Sequence, residues 1–90
     1  MHTIEIINPA NEAQISTVTA DNVETIAAKY ALLKKGQPAW AATPLTERIA
    51  CIQRFHDLLD SEKDTIALSL TQEMGKPLQQ AKNEVNGART

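Results

Sequence analysis

Hydrophobic and polar positions alternate at the start of the chain and later recur at helical spacing. Thr3 to Ile7 reads as a short strand, with Ile4 and Ile6 on one side and Ile7 on the other. Asn8-Pro9-Ala10-Asn11-Glu12 is turn chemistry, because proline presets φ and asparagine tolerates left-handed geometry. From Ala13 to Val18 the alternation resumes, with Ala13, Ile15 and Thr17 opposite Gln14, Ser16 and Val18. Two strands so closely joined predict a hairpin, which by itself would be marginal.

Helical periodicity follows. Val23, Ile26, Ala27, Tyr30 and Leu33 form one stripe, with Thr19 or Asp21 able to cap the helix and Asp21 and Glu24 suiting its positive end. Lys34 and Lys35 sit in the last turn, Gly36 is the predicted stop, and Pro38 is predicted to prevent resumption. Gln37 to Ala42 then becomes a linker in which Trp40 plugs a gap between helices. Thr43-Pro44 reads as a cap and first helical position. Leu45, Ile49, Ile52, Phe55 or His56, and Leu59 mark the buried side of a second helix. Ser61, with Asp64 three residues on, can cap a third helix running through Ile66, Ala67, Leu70 and Met74.

Glu73-Met74-Gly75-Lys76-Pro77 is a helix stop followed at once by a helix start. Gly75 can take the positive φ that closes one helix, and Pro77 has the fixed φ suited to opening the next. Leu78, Ala81, Val85 and Ala88 then form a single apolar stripe that has barely begun when the sequence ends at Thr90. The expectation is a β-hairpin followed by four helices. The last helix reads as truncated and in want of a partner surface, at the front of something larger.

Composition changes this picture little. Hydrophobic residues make up 42%, but many are alanine and the aromatics are only Tyr30, Trp40 and Phe55, so any core is thin. A net charge of −2 without a basic face argues against nucleic acid. No apolar run approaches membrane-spanning length, and no basic-then-apolar leader opens the chain. The single cysteine makes a cytoplasmic, reducing setting the default.

Candidate chemistry is sparse. Cys51 lies between Ala50 and Ile52 with no base suggested nearby, and reads as a small apolar packing group rather than a nucleophile. His2 and His56 lack a second ligand at metal spacing; His56 is expected at a half-exposed helix edge and His2 in a frayed terminus. Gly75-Lys76 lacks the earlier glycine of a phosphate loop. Glu62, Lys63 and Asp64 read as a solvated helix start. The residues alone contain no active site.

Several short pieces nevertheless stand in a familiar order. Asn8-Pro9-Ala10 after a strand, Pro38-Ala39-Trp40, Thr43-Pro44-Leu45-Thr46-Glu47-Arg48, and Glu73-Met74-Gly75-Lys76-Pro77 with Glu84-Val85 resemble the N-terminus of NAD(P)-dependent aldehyde dehydrogenases. The similarity runs in one register from about Ile6 to Val85. The Glu-Met-Gly-Lys-Pro form is most similar to succinate-semialdehyde dehydrogenases and close relatives.

The resemblance implies an α/β parent with a three-layer nucleotide-binding domain, residues 1–90 being part of that domain. It implies NAD or NADP as cofactor, a homo-oligomer, and the remainder of the enzyme as this chain's partner. In the family a cysteine attacks the aldehyde, hydride passes to the nicotinamide, and a glutamate-activated water releases the acid. An asparagine amide and the cysteine's own N–H stabilise the oxyanion. No residue here matches those positions, and Cys51 lacks the nucleophile's surrounding motif. One minor site does carry over. Some members hold a monovalent cation between backbone carbonyls before the Asn-Pro turn, here Ile6 or Ile7, and an acid two positions before the Gly-Lys-Pro glycine, here Glu73. Glu73 reads equally as an exposed acid of a last helical turn. Arg89 falls near the substrate entrance in the resemblance, and as a solvated side chain on general grounds.

The expectation is therefore an N-terminal scaffold piece of an aldehyde dehydrogenase, inactive alone. The alternative is a free-standing helical interaction module; a third reading is a decoy that inserts into an intact dehydrogenase. Exposure of the Leu78–Ala88 stripe is the feature expected of the scaffold piece.

Overall fold

Strand β1 (Thr3–Ile7) pairs antiparallel with β2 (Gln14–Thr19), and four helices follow: α1 (Val23–Ala42), α2 (Leu45–Ser61), α3 (Lys63–Met74) and α4 (Leu78–Arg89). The structure is a computed structural model that describes residues 2–90.

The hairpin departs from simple alternation. Ile6 faces Ser16 but Ile7 faces Gln14, so Ile15 is the extra residue of a bulge. The bulge brings Gln14 and Thr17, an odd number of residues apart, to one face, where the Gln14 amide donates to Thr17 Oγ1 at 2.7 Å. In the turn, Asn8 and Asn11 use their side-chain oxygens to accept from the N–H groups of Ala10 and Ala13, and the left-handed residue is Glu12, at φ 63°. Nor does His2 fray: its carbonyl accepts from Ala20 N at 2.9 Å, extending the ladder.

Helix α1 begins neither at Thr19 nor at Asp21 as its cap. Asn22 Oδ1 accepts from Thr25 N, and Thr25 Oγ1 accepts from Asn22 N, both at 2.9 Å. This reciprocal pair meets two of the otherwise orphaned groups of the first turn. The helix also runs past both predicted stops. Gly36 keeps a negative φ, Pro38 lies inside the helix, and Trp40 is helical rather than part of a linker. Pro38 removes one hydrogen bond and costs about 3 kcal/mol in a helix interior. Ala39, Ala41 and Ala42 are strong helix formers that carry the helix onward. The helix ends where Thr43, extended ahead of Pro44, turns its N–H to Trp40 O at 3.1 Å and its hydroxyl to Ala39 O at 2.9 Å.

Thr43 therefore closes α1 instead of capping α2, and the last residue before α2 is Pro44. Ser61 likewise belongs to α2, its hydroxyl donating to Leu58 O, so α3 starts after Glu62 without a side-chain cap. Gly75 does close α3, at φ 72°, and α4 starts just after Pro77.

The core is thin and local. Ala67 of α3 and Ala81 and Val85 of α4 are buried, with Leu70 packed beside them. Alanines at this crossing let the two helices approach closely. The final helix, expected to lack a partner surface, thus has the middle of its stripe covered by α3, while Leu78 and Ala88 stay exposed. Helices α1 and α2 have no buried residue, and α1 is the barer of the two. Val23 is 80% exposed and Leu33 73%.

The chain spans 48 × 36 × 14 Å with a radius of gyration of 17.4 Å, against about 12 Å for a compact domain of this length. A 14 Å thickness is one layer of helices, since a helix with its side chains is about 10–12 Å across.

Candidate functional site

Among the described residues, two places gather candidate site residues from different elements. The first is the corner between the hairpin turn and Gly75. A Cβ on Gly75 would stand 3.1 Å from Pro9 Cγ, so the turn that follows Ile7 lies against the glycine two residues after Glu73. Ile6 is half-buried, Ile7 is 40% exposed, and Glu73 is exposed in the last turn of α3. Backbone carbonyls and a carboxylate are the hard oxygen donors that a monovalent cation takes. Among the described residues, however, no group of three or more His, Cys, Asp or Glu side chains could hold a metal ion.

The second place is a groove of about 570 Å³ between the end of α1, the start of α2 and the end of α4. Its floor is Trp40, Leu45, Ile49 and Ile52, the stripe expected to be buried on α2. Those α2 side chains are about three-fifths exposed because no element of the chain lies over them. Of the two candidates at the next helical position, His56 turns to the groove and is half-buried, and Phe55 is exposed. Arg48 and Arg89 stand at the sides. Arg48 Nε donates to Thr43 O at 3.1 Å. Arg89 is not freely solvated: its Nη1 lies 3.0 Å from Asp60 Oδ1 and 3.1 Å from Asn86 Oδ1. Sequence periodicity marked the floor but not the arginines, whose convergence needs α4 folded back across α2.

The remaining candidates are mostly quiet. Cys51 is half-buried rather than in a core, because α2 buries no residue at all. Glu62 and Asp64 are exposed, as a solvated helix start requires, and Lys82 Nζ stands 3.8 Å from Asp64. Lys76, in the loop before α4, pairs with Glu84 and fastens the loop to that helix.

Two carboxylates are perturbed. Hydrogen bonding from Lys29, then Thr25, holds the Asp21 carboxyl below the usual aspartate range, and His56, then Gln53, does the same for Asp57. A lowered folded-state pKa contributes stability that is complete above the unfolded value, about 3.9, and lost as pH falls through the lower folded value. The small contribution of the exposed Asp21–Lys29 pair should therefore fade as pH drops below about 4. Asp21→Asn should lack that component of the acid transition, followed by helical circular dichroism.

The sequence matches the aldehyde dehydrogenase family over residues 1–90, and the chain belongs to that family. It is 30% identical over 82 residues to the mitochondrial acylating methylmalonate-semialdehyde dehydrogenase of Arabidopsis thaliana, covering 91% of this chain and 14% of that protein. It is 35% identical over 78 residues to the N-succinylglutamate 5-semialdehyde dehydrogenase of Novosphingobium aromaticivorans, covering 87% of this chain and 16% of that protein. Among solved structures, an aldehyde dehydrogenase from Brucella melitensis biovar abortus 2308 superposes with a TM-score of 0.96 at 38% identity, over 98% of this chain and 18% of that one. An NAD-dependent benzaldehyde dehydrogenase from Corynebacterium glutamicum superposes at 0.94 and 32% identity, over 98% and 19%. An NADP-dependent glyceraldehyde-3-phosphate dehydrogenase from Bacillus halodurans C-125, complexed with NADP, does so at 0.94 and 26%, over 98% and 18%. The chain thus spans less than a fifth of the length of these relatives.

Proposed function

We propose that these 90 residues act as the N-terminal scaffold of the nucleotide-binding domain of an NAD(P)-dependent aldehyde dehydrogenase, and that the chemistry resides in polypeptide outside them. The observation that carries this is α1: a twenty-residue helix with no buried residue, in a structure one helix layer thick. Stable domains bury apolar faces between at least two layers, so this layer calls for a second. The family match along the whole chain favours the rest of a dehydrogenase as that layer over the partner of a free-standing module.

Succinate semialdehyde, or another semialdehyde carrying a carboxylate, is the proposed substrate of the complete enzyme. The two semialdehyde dehydrogenases described above are named for such semialdehydes, whereas one of the structural relatives is named for benzaldehyde. The nicotinamide is NAD or NADP, the names of the relatives including both. The complete enzyme is a homo-oligomer in this reading, and a cytoplasmic one, the single cysteine of these residues suiting a reducing setting. The Ile7 carbonyl and the Glu73 carboxylate hold a monovalent cation whose remaining ligands come from elsewhere.

Amide hydrogen exchange tests the scaffold role. In the 90-residue chain, α1 amides should exchange far faster than those of α3 and α4. Protection of α1 equal to that of α4 would contradict the need for a covering layer.

A further inference from the structure

We propose that Asn86 is a site of spontaneous deamidation, carried out by the backbone nitrogen of Gly87 and water and admitted by opening of the last turn of α4. Asparagine is a thermolabile residue, because the backbone nitrogen of the residue after it can attack its side-chain amide. A side chain on that next residue crowds the attack, and glycine leaves it open. Of the five asparagines, Asn8 precedes proline, which has no N–H, Asn11 and Asn83 precede glutamate, and Asn22 precedes a β-branched valine. Asn86 alone precedes glycine. It is exposed, and nothing stands within 4 Å of where a Cβ on Gly87 would lie.

The step balances with water as the only co-reactant. Gly87 N gives its proton to solvent and bonds to Asn86 Cγ; the Cγ–Nδ2 bond breaks, ammonia leaves and a five-membered imide closes. Water then opens the imide at either carbonyl, leaving aspartate or, where the backbone carbonyl is attacked, isoaspartate. Nothing is oxidised or reduced, and one amide becomes one carboxylate. The folded helix opposes ring closure. A helical ψ of about −42° keeps Gly87 N out of line with Asn86 Cγ, and Asn86 Oδ1 accepts from Arg89 Nη1 at 3.1 Å. That hold is weak. No residue after Val85 is buried, and the turn closes with a Thr90 N–H bond to Gly87 O at 3.3 Å. Glycine inside a helix also costs about 1 kcal/mol relative to alanine. Helix ends of this kind open at far lower cost than the whole fold. The aspartate product places a carboxylate three residues before Arg89, in competition with Asp60 for the same guanidinium, so the modification acts on the tie between α4 and α2.

The 90-residue chain is incubated at neutral pH, folded and in guanidinium chloride, and each asparagine is followed by mass spectrometry of tryptic peptides. Asn83 and Asn86 fall in one peptide, between Lys82 and Arg89, where fragmentation tells them apart. Asn86 should convert first, to a mixture of aspartate and isoaspartate. Its rate in the folded chain should be no less than about one hundredth of that in the denatured chain, the ratio for an opening that costs about 2.7 kcal/mol. Gly87→Ala, which the open space at Gly87 admits, should slow conversion in both conditions, in the denatured chain through crowding alone. Suppression beyond a hundredfold in the folded chain would overturn the proposal. So would conversion of Asn83 at the pace of Asn86, an undiminished rate in denatured Gly87→Ala, or aspartate without isoaspartate.

Discussion

Gly75→Ala is expected to destabilise the chain by about 1–2 kcal/mol from the left-handed backbone alone, with a further loss from its contact with the hairpin. At φ 72° an alanine Cβ crowds the following peptide, and the same Cβ would stand 3.1 Å from Pro9 Cγ. That separation is too short for ordinary packing, so either the Pro9 ring or the end of α3 must shift. The two causes can be separated by a double-mutant cycle with Pro9→Ala. Removing the ring should recover the contact component and leave the backbone component untouched. Thermal unfolding followed by circular dichroism measures both; each kcal/mol shifts Tm by about 4–8 °C in a domain of this size. Equal stability of Gly75→Ala and the parent chain would mean that the corner is not held as described.

Ala81→Leu should have an effect of the same order for a different reason. Ala81 is fully buried where α4 crosses α3 beside Ala67, and three added carbons have nowhere to go without parting the helices. Overpacking of this kind costs about 1–3 kcal/mol. Ala88→Leu, on the same helix but at an exposed position, should change stability by less than about 0.5 kcal/mol. A comparable loss at both positions would indicate a general effect on helix α4 rather than a tight crossing at Ala81.

The order of elements was legible because the punctuation is chemical. Asn8-Pro9 makes the turn, Gly75 takes a left-handed φ, and Pro44 and Pro77 each stand just ahead of a helix. Other local signals pointed elsewhere than the structure. Gly36 and Pro38 both carry stop signals, yet α1 passes through them to Thr43. A helix that retains an internal proline, despite the missing hydrogen bond, is expected to gain contacts elsewhere, and this chain offers α1 none that bury a residue. Asn22 carries no clear cap signal, because Thr25, its reciprocal partner, is not the glutamate or glutamine that usually marks a capping box. The bulge at Ile15 could not be read either, since a strand's register depends on its partner as well as its own alternation.

Burial was the least legible property. The apolar stripes of α1, α2 and α4 look alike in sequence, but only α4 finds a cover within the chain, because Ala67 and Ala81 permit a close crossing. The groove residues had been visible singly, Trp40 and Arg48 within resembling motifs and Arg89 as a solitary charge. Their convergence depends on α4 lying across α2, a relation that no local pattern encodes.

The central claim, that this chain supplies support and none of the chemistry, is tested most directly by assaying the purified 90-residue chain with succinate semialdehyde and either NAD or NADP. The account predicts no reduced nicotinamide above the protein-free control with either cofactor. Steady formation of NADH or NADPH in proportion to the amount of chain would contradict it.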